Sequence, residues 1–307
     1  MIYQGSKSRV AERIFSLLYQ FACSDDCNVH FYDLFGGGGS MSQYALKYTK
    51  WHVHYNELRA STLNAFRQEI TGDWQYRWVS SEDFKKGNIT DLERIIWSFG
   101  NDERSYLYGK NIEDFKRAVW ACCFGIESAG FANNKEAYNA LCSRVFKTKE
   151  SEDYTIDFSE EKIFDLLDNY NVVNRFKLRN CKQNSCKIQR LEILQSLQRL
   201  ESLESLESLE RITLSNKDYR DIEVSGNAII YCDPPYRNTK GYGVDFDFKA
   251  FDAWALARTA PLFVSEYSEI NGLMPCGEFK RNGFATNSGV KTPNERLFTN
   301  QKLRTLF

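Results

Sequence analysis

A run of four glycines, Gly36 to Gly39, separates a short apolar segment from a segment of helix-forming residues. Phe31 to Phe35 predicts a strand, a helix is predicted over Met41 to Tyr48 with Ser40 near its start, and Trp51 to Tyr55 predicts a second strand. Strand, glycine turn, helix and strand in this order are typical of an α/β fold with a parallel sheet. The glycines would let the backbone pass close to a ligand, since no side chain stands in the way.

An acid follows the second predicted strand: Asn56-Glu57 lies about 20 residues beyond the glycines. In doubly wound sheets an acid at this position hydrogen-bonds the hydroxyl pair of a ribose, so the pattern indicates a nucleoside site. Neither a dinucleotide motif, which needs a third glycine, nor a phosphate loop, which needs Gly-Lys-Ser or Gly-Lys-Thr, fits this segment. The default ligand is then a nucleoside with little phosphate, of which S-adenosylmethionine is the common one. Turns and linkers also collect glycine.

A second strand with polar chemistry at its end lies far along the chain, in the sequence NAIIYCDPPYR from Asn227 to Arg237. Apolar and aromatic residues run directly into Asp233, two prolines and Tyr236. This predicts a buried strand that stops abruptly. Taken alone, the same pattern also fits a Pro-Pro stop signal beside a surface acid.

Composition excludes several classes of protein. The chain has 307 residues, of which 42% are hydrophobic, and no apolar run approaches the roughly 18 residues that span a bilayer. Its N-terminus lacks the apolar centre of a signal peptide, and its nine cysteines are odd in number and form no disulfide pattern, so a cytoplasmic protein is expected. Cys23, Cys27 and His30 suggest zinc ligands, but no second Cys-x-x-Cys pair completes a set, and no metal is expected.

Several segments in a fixed order carry a family resemblance. They are Tyr3-Gln-Gly-Ser-Lys7, Asp33-Leu-Phe-Gly-Gly-Gly-Gly39, Asn56-Glu57, Asn216-Lys-Asp-Tyr219 and Asp233-Pro-Pro-Tyr236, followed by Val264-Ser-Glu-Tyr267 and Glu295-Arg-Leu-Phe-Thr-Asn300. Together they resemble the Dam-type (class alpha) N6-adenine DNA methyltransferases, particularly the phage and mobile-element members. The resemblance implies a Rossmann-like S-adenosylmethionine-dependent methyltransferase sheet with a mainly helical target-recognition insertion.

The resemblance also assigns roles to residues. It implies a methyl-transfer site at Asp233, Pro234 and Tyr236. It further implies a set of residues that bind S-adenosylmethionine and its product S-adenosylhomocysteine: Tyr3, Lys7, Asp33, Phe35, Gly36, Gly37, Gly38, Gly39, Glu57, Asp218 and Tyr219. Family members commonly have Asp where this chain has Glu57, which leaves a neighbour as an alternative ribose ligand.

The chemistry of adenine methylation explains why a strand would end in Asp-Pro-Pro-Tyr. The exocyclic nitrogen of adenine is a poor nucleophile because its lone pair is delocalised into the ring. An ionised Asp233 and the Pro234 carbonyl would accept its two hydrogens, and Tyr236 would stack on the base. The base must first leave the duplex, which costs a few kcal/mol of pairing and stacking.

The middle of the chain is predicted to recognise DNA. Residues 1–65 and 214–307 are assigned to the catalytic domain and 66–213 to the insertion, with helical patterning from Ile112 to Ser128. The following turn offers Phe131 as a wedge, Asn133 and Asn134 for adenine edges and Lys135 for a phosphate. An ordinary exposed loop has nearly the same composition.

A basic run and a repeat complete the insertion. Arg175, Lys177, Arg179 and Lys182 lie in a stretch without an acid, which suits a phosphate-facing edge and equally a solvated loop. From Ile188 to Ile212 an apolar residue recurs at every third position, a low-complexity pattern predicted to form a spacer helix.

The sequence therefore predicts a site-specific adenine methyltransferase that acts on double-stranded DNA without a metal. Expected partners are the DNA and a separately encoded restriction nuclease, with no membrane, and the chain is expected to be a monomer or a weak dimer. Two alternatives remain: an amino-methyltransferase acting on RNA or protein glutamine, and a catalytically silent DNA-binding or anti-restriction protein.

Overall fold

The chain divides into two compact units in the computed structural model: residues 1–72 with 201–307, and residues 73–200. The structure describes residues 6–22, 28–74, 77–124, 126–133, 135–137, 139–140, 209–237, 246–279 and 294–302.

The first unit is built on one sheet, which in the described residues has seven strands in the order β3-β2-β1-β4-β5-β7-β6. The strands are β1 (Val29–Asp33), β2 (His52–Asn56), β3 (Ile212–Ser215), β4 (Asn227–Cys232), β5 (Leu262–Glu266), β6 (Met274–Phe279) and β7 (Glu295–Thr299). Strands β1 to β5 pair in parallel, whereas β7 runs antiparallel between β5 and β6. The chain order reverses between β1 and β4, and in such sheets this position is where ligands bind.

The central strands are apolar along their length because both faces of the sheet are covered. Phe31, Tyr55 and Tyr231 belong to one buried cluster, together with residues of the helices α1 (Ala11–Leu18), α2 (Ser40–Tyr48) and α3 (Ala60–Thr71). The opposite face carries Tyr32, Ile230 and Cys232, which pack with residues of the helix α7 (Phe248–Leu256). Strands β1, β4, β5 and β7 therefore contribute residues to both cores, which fixes their register.

The second unit is helical in its described part. Its helices are α4 (Ser81–Lys86), α5 (Asp91–Ile96) and α6 (Lys110–Phe124). Their shared core is rich in aromatic side chains, with the Trp78 ring edge-on to Trp97 at 4.6 Å between centroids. Thr90 and Glu93 form a reciprocal hydrogen-bonded cap that starts α5.

The predicted elements of the sheet unit were largely right, with local differences. The helix predicted over Met41 to Tyr48 is α2, and the strand running into Asp233 is β4. The prediction for Ile212 was wrong: it is the first residue of β3, paired with Val53, and does not end the repeat as a helical residue. Helix α3 continues through Phe66, the residue at which the sequence analysis began the insertion. Among the described residues, no helix is both long enough and apolar enough to cross a membrane.

Candidate active site at the ends of strands β1 and β4

Two carboxylates lie at the same edge of the sheet, where β1 and β4 end side by side. Asp33 is the last residue of β1 and pairs with Tyr231, and Asp233 follows β4 directly. Because parallel strands end at one edge, the glycine turn after β1 and the Asp233-Pro-Pro-Tyr236 segment are neighbours. The fold thus brings together two motifs that are far apart in the chain.

The glycine turn needs glycine for reasons of packing. A Cβ on Gly36 would lie 2.1 Å from the Tyr55 ring, and one on Gly39 would lie 2.0 Å from the Phe66 ring. Gly39 also has a φ of +71°, a left-handed conformation that side chains disfavour. The Tyr55 hydroxyl donates to the Gly37 carbonyl at 2.8 Å, so the rings beneath hold the turn in place.

Glu57 ties the end of β2 to this turn. Its Oε2 accepts from the Gly37 N–H at 2.9 Å and its Oε1 from the Arg59 N–H at 2.9 Å. Glu57 is therefore held at the end of β2 by two backbone N–H groups.

The segment after β3 is attached to the same edge through Asn56. The Asn56 amide donates to the Leu34 carbonyl at 3.1 Å and to the Lys217 carbonyl at 3.0 Å. Asp218 caps a short 3-10 helix, Tyr219–Asp221, and accepts paired hydrogen bonds from the Arg220 side chain, which lower the pKa of Asp218. Tyr219 is buried in an aromatic cluster with Phe35.

Asp33 is buried beneath the glycine turn. It is 1% exposed and accepts a hydrogen bond of 2.7 Å from the Ser42 hydroxyl on α2. Burial raises the pKa of Asp33 to about 7, because a neutral hydroxyl does not replace the lost hydration of a carboxylate. A carboxyl group with this pKa is partly protonated at neutral pH.

Asp233 lies in a network with a lysine from near the N-terminus. The Lys7 Nζ is 2.6 Å from Asp233 Oδ2, 2.6 Å from the Tyr236 hydroxyl and 3.2 Å from Glu295 Oε1. The Tyr236 hydroxyl donates to Asp233 Oδ1 at 2.9 Å and contacts Glu295 Oε1 at 3.2 Å. Lys7 is anchored through its backbone as well, since its N–H donates to the Ser40 hydroxyl at 3.0 Å.

The network contains two carboxylates and one ammonium group, and their side chains are 21%, 6% and 4% exposed for Asp233, Glu295 and Lys7. Burial lowers the pKa of Lys7, but the charges of Asp233 and Glu295 outweigh this and raise it, so Lys7 stays charged. Burial raises the pKa of Asp233, and the Glu295 charge adds to this while Lys7 opposes it. Burial also raises the pKa of Tyr236, whose hydroxyl stays protonated and can donate.

Two glutamates that the sequence analysis gave no role support the site. Glu295 is the first residue of β7 and belongs to the network just described. Glu266 is the last residue of β5 and accepts from the backbone N–H groups of Arg237 at 3.1 Å and Tyr267 at 2.7 Å. It thereby fixes the residue after Tyr236 and also Tyr267, whose ring packs edge-on against Tyr236 with centroids 4.4 Å apart. Both glutamates stand in the later segments of the family resemblance, which was the available signal.

The structure corrects one predicted DNA contact. Phe131, predicted as an exposed wedge, is buried in the core of the second unit, and the Arg117 guanidinium lies over its ring at 4.1 Å. Arg117 also donates to the Ala129 carbonyl at 2.7 Å, so the turn closes onto α6 and carries Phe131 inward. Asn133 and Lys135 are exposed, and Asn133 caps the residues after it by accepting from the Glu136 N–H at 3.0 Å.

Other predicted residues lie outside the described part of the chain. They are Tyr3, Asn134, Arg175, Lys177, Arg179, Lys182, Cys23 and Cys27, together with most of the repeat from Ile188 to Ile212. Their predicted roles stay predictions. Within the described ranges, no group of three or more His, Cys, Asp or Glu side chains is arranged to hold a metal ion.

The fold and the site define a class of protein: an α/β sheet of the S-adenosylmethionine-dependent methyltransferase type, with Asp-Pro-Pro-Tyr at a strand end. Comparison with protein families gives the assignment, because the family model described as D12 class N6 adenine-specific DNA methyltransferase matches residues 3–254. The chain belongs to this family and is a DNA adenine methyltransferase. The predicted family, fold class and enzyme type are thus confirmed.

Two further comparisons add little. A search of curated proteins found no match. Among solved structures, the chain is similar to an rRNA methyltransferase, AviRa, from Streptomyces viridochromogenes, with 10% identity, a TM-score of 0.39, and coverage of 95% of this chain and 84% of that one. A likeness at this level carries no argument about the substrate.

Proposed function

We propose that the chain transfers a methyl group from S-adenosylmethionine to N6 of an adenine that has been flipped out of double-stranded DNA. The observation that carries this proposal is the meeting of the glycine turn and Asp233-Pro-Pro-Tyr236 at the adjoining ends of β1 and β4. A donor site and an acceptor site at one sheet edge suit group transfer between two bound molecules.

The donor would bind at the β1 side. The turn from Gly36 to Gly39 would approach it without side chains, and the carboxylate of Glu57, held by two backbone N–H groups, would accept from the ribose hydroxyls. Phe35 and Asp218 border the same edge, with Asp33 and Tyr219 buried beneath it, and Tyr3 would close over the methionine part. Lys7, for which the family resemblance implies the same role, has its ammonium group on Asp233 and Glu295 and so belongs to the base side. The sulfonium of the donor supplies an electrophilic methyl group.

The target base would bind at the β4 side. Asp233 and the Pro234 carbonyl accept the two N6 hydrogens, which favours a localised lone pair on the nitrogen. Pro234 is buried and has no N–H of its own, so the segment is stiff and presents carbonyl groups. Tyr236, supported edge-on by Tyr267, offers an aromatic surface that recovers part of the energy of unstacking.

The direct test measures transfer of labelled methyl from S-adenosylmethionine to DNA, RNA and a glutamine-containing protein, followed by analysis of the modified base. N6-methyladenine in double-stranded DNA is expected, with no signal from Asp233→Ala. Label in RNA or protein alone would favour the amino-methyltransferase alternative. Binding to DNA without any transfer would favour the catalytically silent alternative.

DNA recognition is proposed for the second unit, and salt dependence separates its components. Replacing two of Arg175, Lys177, Arg179 and Lys182 by Gln should weaken binding to all DNA and reduce the salt slope by about 0.9 per lost phosphate contact. Asn133→Ala should instead relax sequence preference with little change in slope, because base-edge contacts specify the sequence. Phe131→Ala should act on stability, since its ring is buried. An unchanged salt slope in the Gln variants would mean that the basic run is a solvated loop without phosphate contacts.

A further inference from the structure

Glu295 reaches the active site because β7 runs against its neighbours. Strand β7 is antiparallel to β5, and Arg296 pairs with Glu266, the last residue of β5. The first residue of β7 therefore lies at the edge where the parallel strands end. Glu295 is far from Asp233 in the sequence, but the sheet brings both carboxylates into contact with Lys7.

Glu295 and Asp233 share two hydrogen-bond donors. The Lys7 Nζ is 2.6 Å from Asp233 and 3.2 Å from Glu295, and the Tyr236 hydroxyl is 2.9 Å from Asp233 and 3.2 Å from Glu295. Both donors are thus closer to Asp233 while already touching Glu295. Small movements of Lys7 and Tyr236 would transfer them from one carboxylate to the other.

The proposed chemistry favours such a transfer. Each oxygen of Asp233 already accepts one hydrogen bond here, Oδ2 from the Lys7 ammonium group and Oδ1 from the Tyr236 hydroxyl. Lone pairs remain on both oxygens, but the bound ammonium group makes Asp233 a weaker acceptor for a hydrogen of adenine N6. Lys7 is only 4% exposed, so an ammonium group that left Asp233 without another counter-charge would be strongly disfavoured. A second buried carboxylate within reach removes this obstacle.

We propose that Glu295 is a positioning residue for methyl transfer: it takes over Lys7 and Tyr236 when Asp233 turns its lone pairs to the adenine amino group. No covalent bond changes in this step, and only hydrogen bonds move. The inference rests on the proposed function, since it assumes that Asp233 accepts from adenine N6. It goes beyond that function by giving the network two arrangements, one in the free protein and one with the base bound.

A purely structural role makes different predictions. If Glu295 only anchored β7, its loss would lower the free energy of unfolding and leave the turnover of the folded protein unchanged. If it receives Lys7, its loss keeps Lys7 on Asp233 and lowers kcat, while the KM values for DNA and S-adenosylmethionine change little. The effect should also depend on Lys7 being present.

The experiment compares Glu295→Gln with the wild-type protein in the methyl-transfer assay at saturating donor. We expect kcat to fall about ten-fold or more, as for the loss of a charge-assisted hydrogen bond, with both KM values within about two-fold. Glu278→Gln is the matched control. This exposed glutamate on β6 accepts a hydrogen bond of 2.6 Å from the Asn294 amide and is not a member of the network around Asp233. Its kcat should equal that of the wild type.

A double variant tests the dependence on Lys7. In a Lys7→Met background, Glu295→Gln should lower kcat by less than about two-fold, because no ammonium group is left to be moved. The same factor in both backgrounds would overturn the proposal, as would a wild-type kcat in the folded single variant. If Glu295→Gln does not fold, Glu295→Asp replaces it: this shorter carboxylate should lower kcat about three-fold or more, and a wild-type kcat would overturn the proposal.

The wild-type protein in the same assay separates the two levels of inference. Absence of methyl transfer to DNA by the wild type would overturn the proposed function and this inference together. Transfer by the wild type combined with an unchanged kcat in Glu295→Gln would overturn the inference alone.

Discussion

The adjoining ends of β1 and β4 show how differently one fold can treat two aspartates. Asp33 is 1% exposed and hydrogen-bonded to a neutral hydroxyl, and burial raises its pKa to about 7. Asp233 is 21% exposed and forms an ion pair of 2.6 Å with Lys7. Asp33 ends β1 and Asp233 follows β4, so both lie at the same sheet edge.

The difference lies in which distant segments reach each strand end. Asp33 is partnered by Ser42 from the helix that follows it in the chain, so its environment is local. Asp233 is partnered by Lys7 from near the N-terminus and lies beside Glu295 from the last strand, so its environment is assembled from both ends of the chain. A buried carboxylate becomes structural or reactive according to whether a cation is brought to it.

The largest effect on activity is expected from replacing Asp233, the aspartate proposed to contact the adenine. Asp233→Ala should lower kcat by about 10³-fold, since an acceptor that stabilises the transition state is lost, while affinity for S-adenosylmethionine changes little. Asp233→Asn keeps the shape and one acceptor oxygen and serves as the second variant if removing a partner of Lys7 destabilises the fold. Single-turnover methyl transfer measures both. Near-wild-type turnover in Asp233→Ala would exclude Asp233 from the mechanism, and near-wild-type turnover in Asp233→Asn would mean that one neutral acceptor oxygen is enough.

Variants on the β1 side should change the affinity for S-adenosylmethionine instead of kcat. Glu57→Ala should weaken S-adenosylmethionine binding by about 1.5 to 3 kcal/mol, through lost ribose hydrogen bonds and a loosened Gly37 N–H. Glu57→Gln, which keeps one acceptor oxygen, should lose less, and the exposed Glu223→Ala is a control expected to bind normally. Calorimetry provides the affinities. An unchanged affinity in Glu57→Ala would place the ribose on another residue.

Asp33 should also make the free energy of unfolding depend on pH. Because the pKa of Asp33 is raised in the folded protein, its carboxyl group ionises at a lower pH in the unfolded chain than in the folded one. The free energy of unfolding should therefore fall as the pH rises from about 4 to about 7. Asp33→Asn should remove this loss and gain about 2.6 kcal/mol relative to the wild type between pH 5 and pH 8. Denaturant unfolding at several pH values measures the change.

A second variant sharpens the same comparison. Ser42→Ala removes the hydrogen bond that opposes the raised pKa of Asp33, so the fall in stability should extend to higher pH. If Asp33→Asn and the wild type show parallel pH dependences, the carboxyl group is solvated in the folded protein and the contrast with Asp233 disappears.

The smallest effect is expected at Tyr236. Tyr236→Phe keeps the ring but removes a donor to Asp233 and Glu295. The activation free energy should therefore rise by about 1 kcal/mol, which lowers kcat roughly five-fold. Tyr236→Ala should lose more, because the aromatic surface is lost as well. Measuring kcat for both variants separates the hydroxyl from the ring, and equal values for the two would mean that the ring does not contact the base.

Much of the site was readable from the sequence because its signals are local. Strand, glycine turn and helix follow one another within residues 31–48, and Asp233-Pro-Pro-Tyr236 directly follows a run of apolar residues. The family resemblance then ordered these segments, and Gly36, Glu57 and Asp233 all lie at the predicted strand ends. Phe131 was predicted wrongly because the contact that turns it inward, Arg117 over its ring, leaves no pattern in the neighbouring residues.

The sequence by itself determined the α/β class, the methyltransferase family and the strand ends that carry the chemistry, since periodicity, glycine and proline act on the nearest residues. Only the tertiary structure decided that Lys7 and Glu295 meet at Asp233, and that no cation from the described part of the chain pairs with Asp33. Residues remote in the chain become neighbours only when parallel strands end at one edge and β7 reverses direction. Burial then makes each of these contacts strong, because water no longer screens the charges.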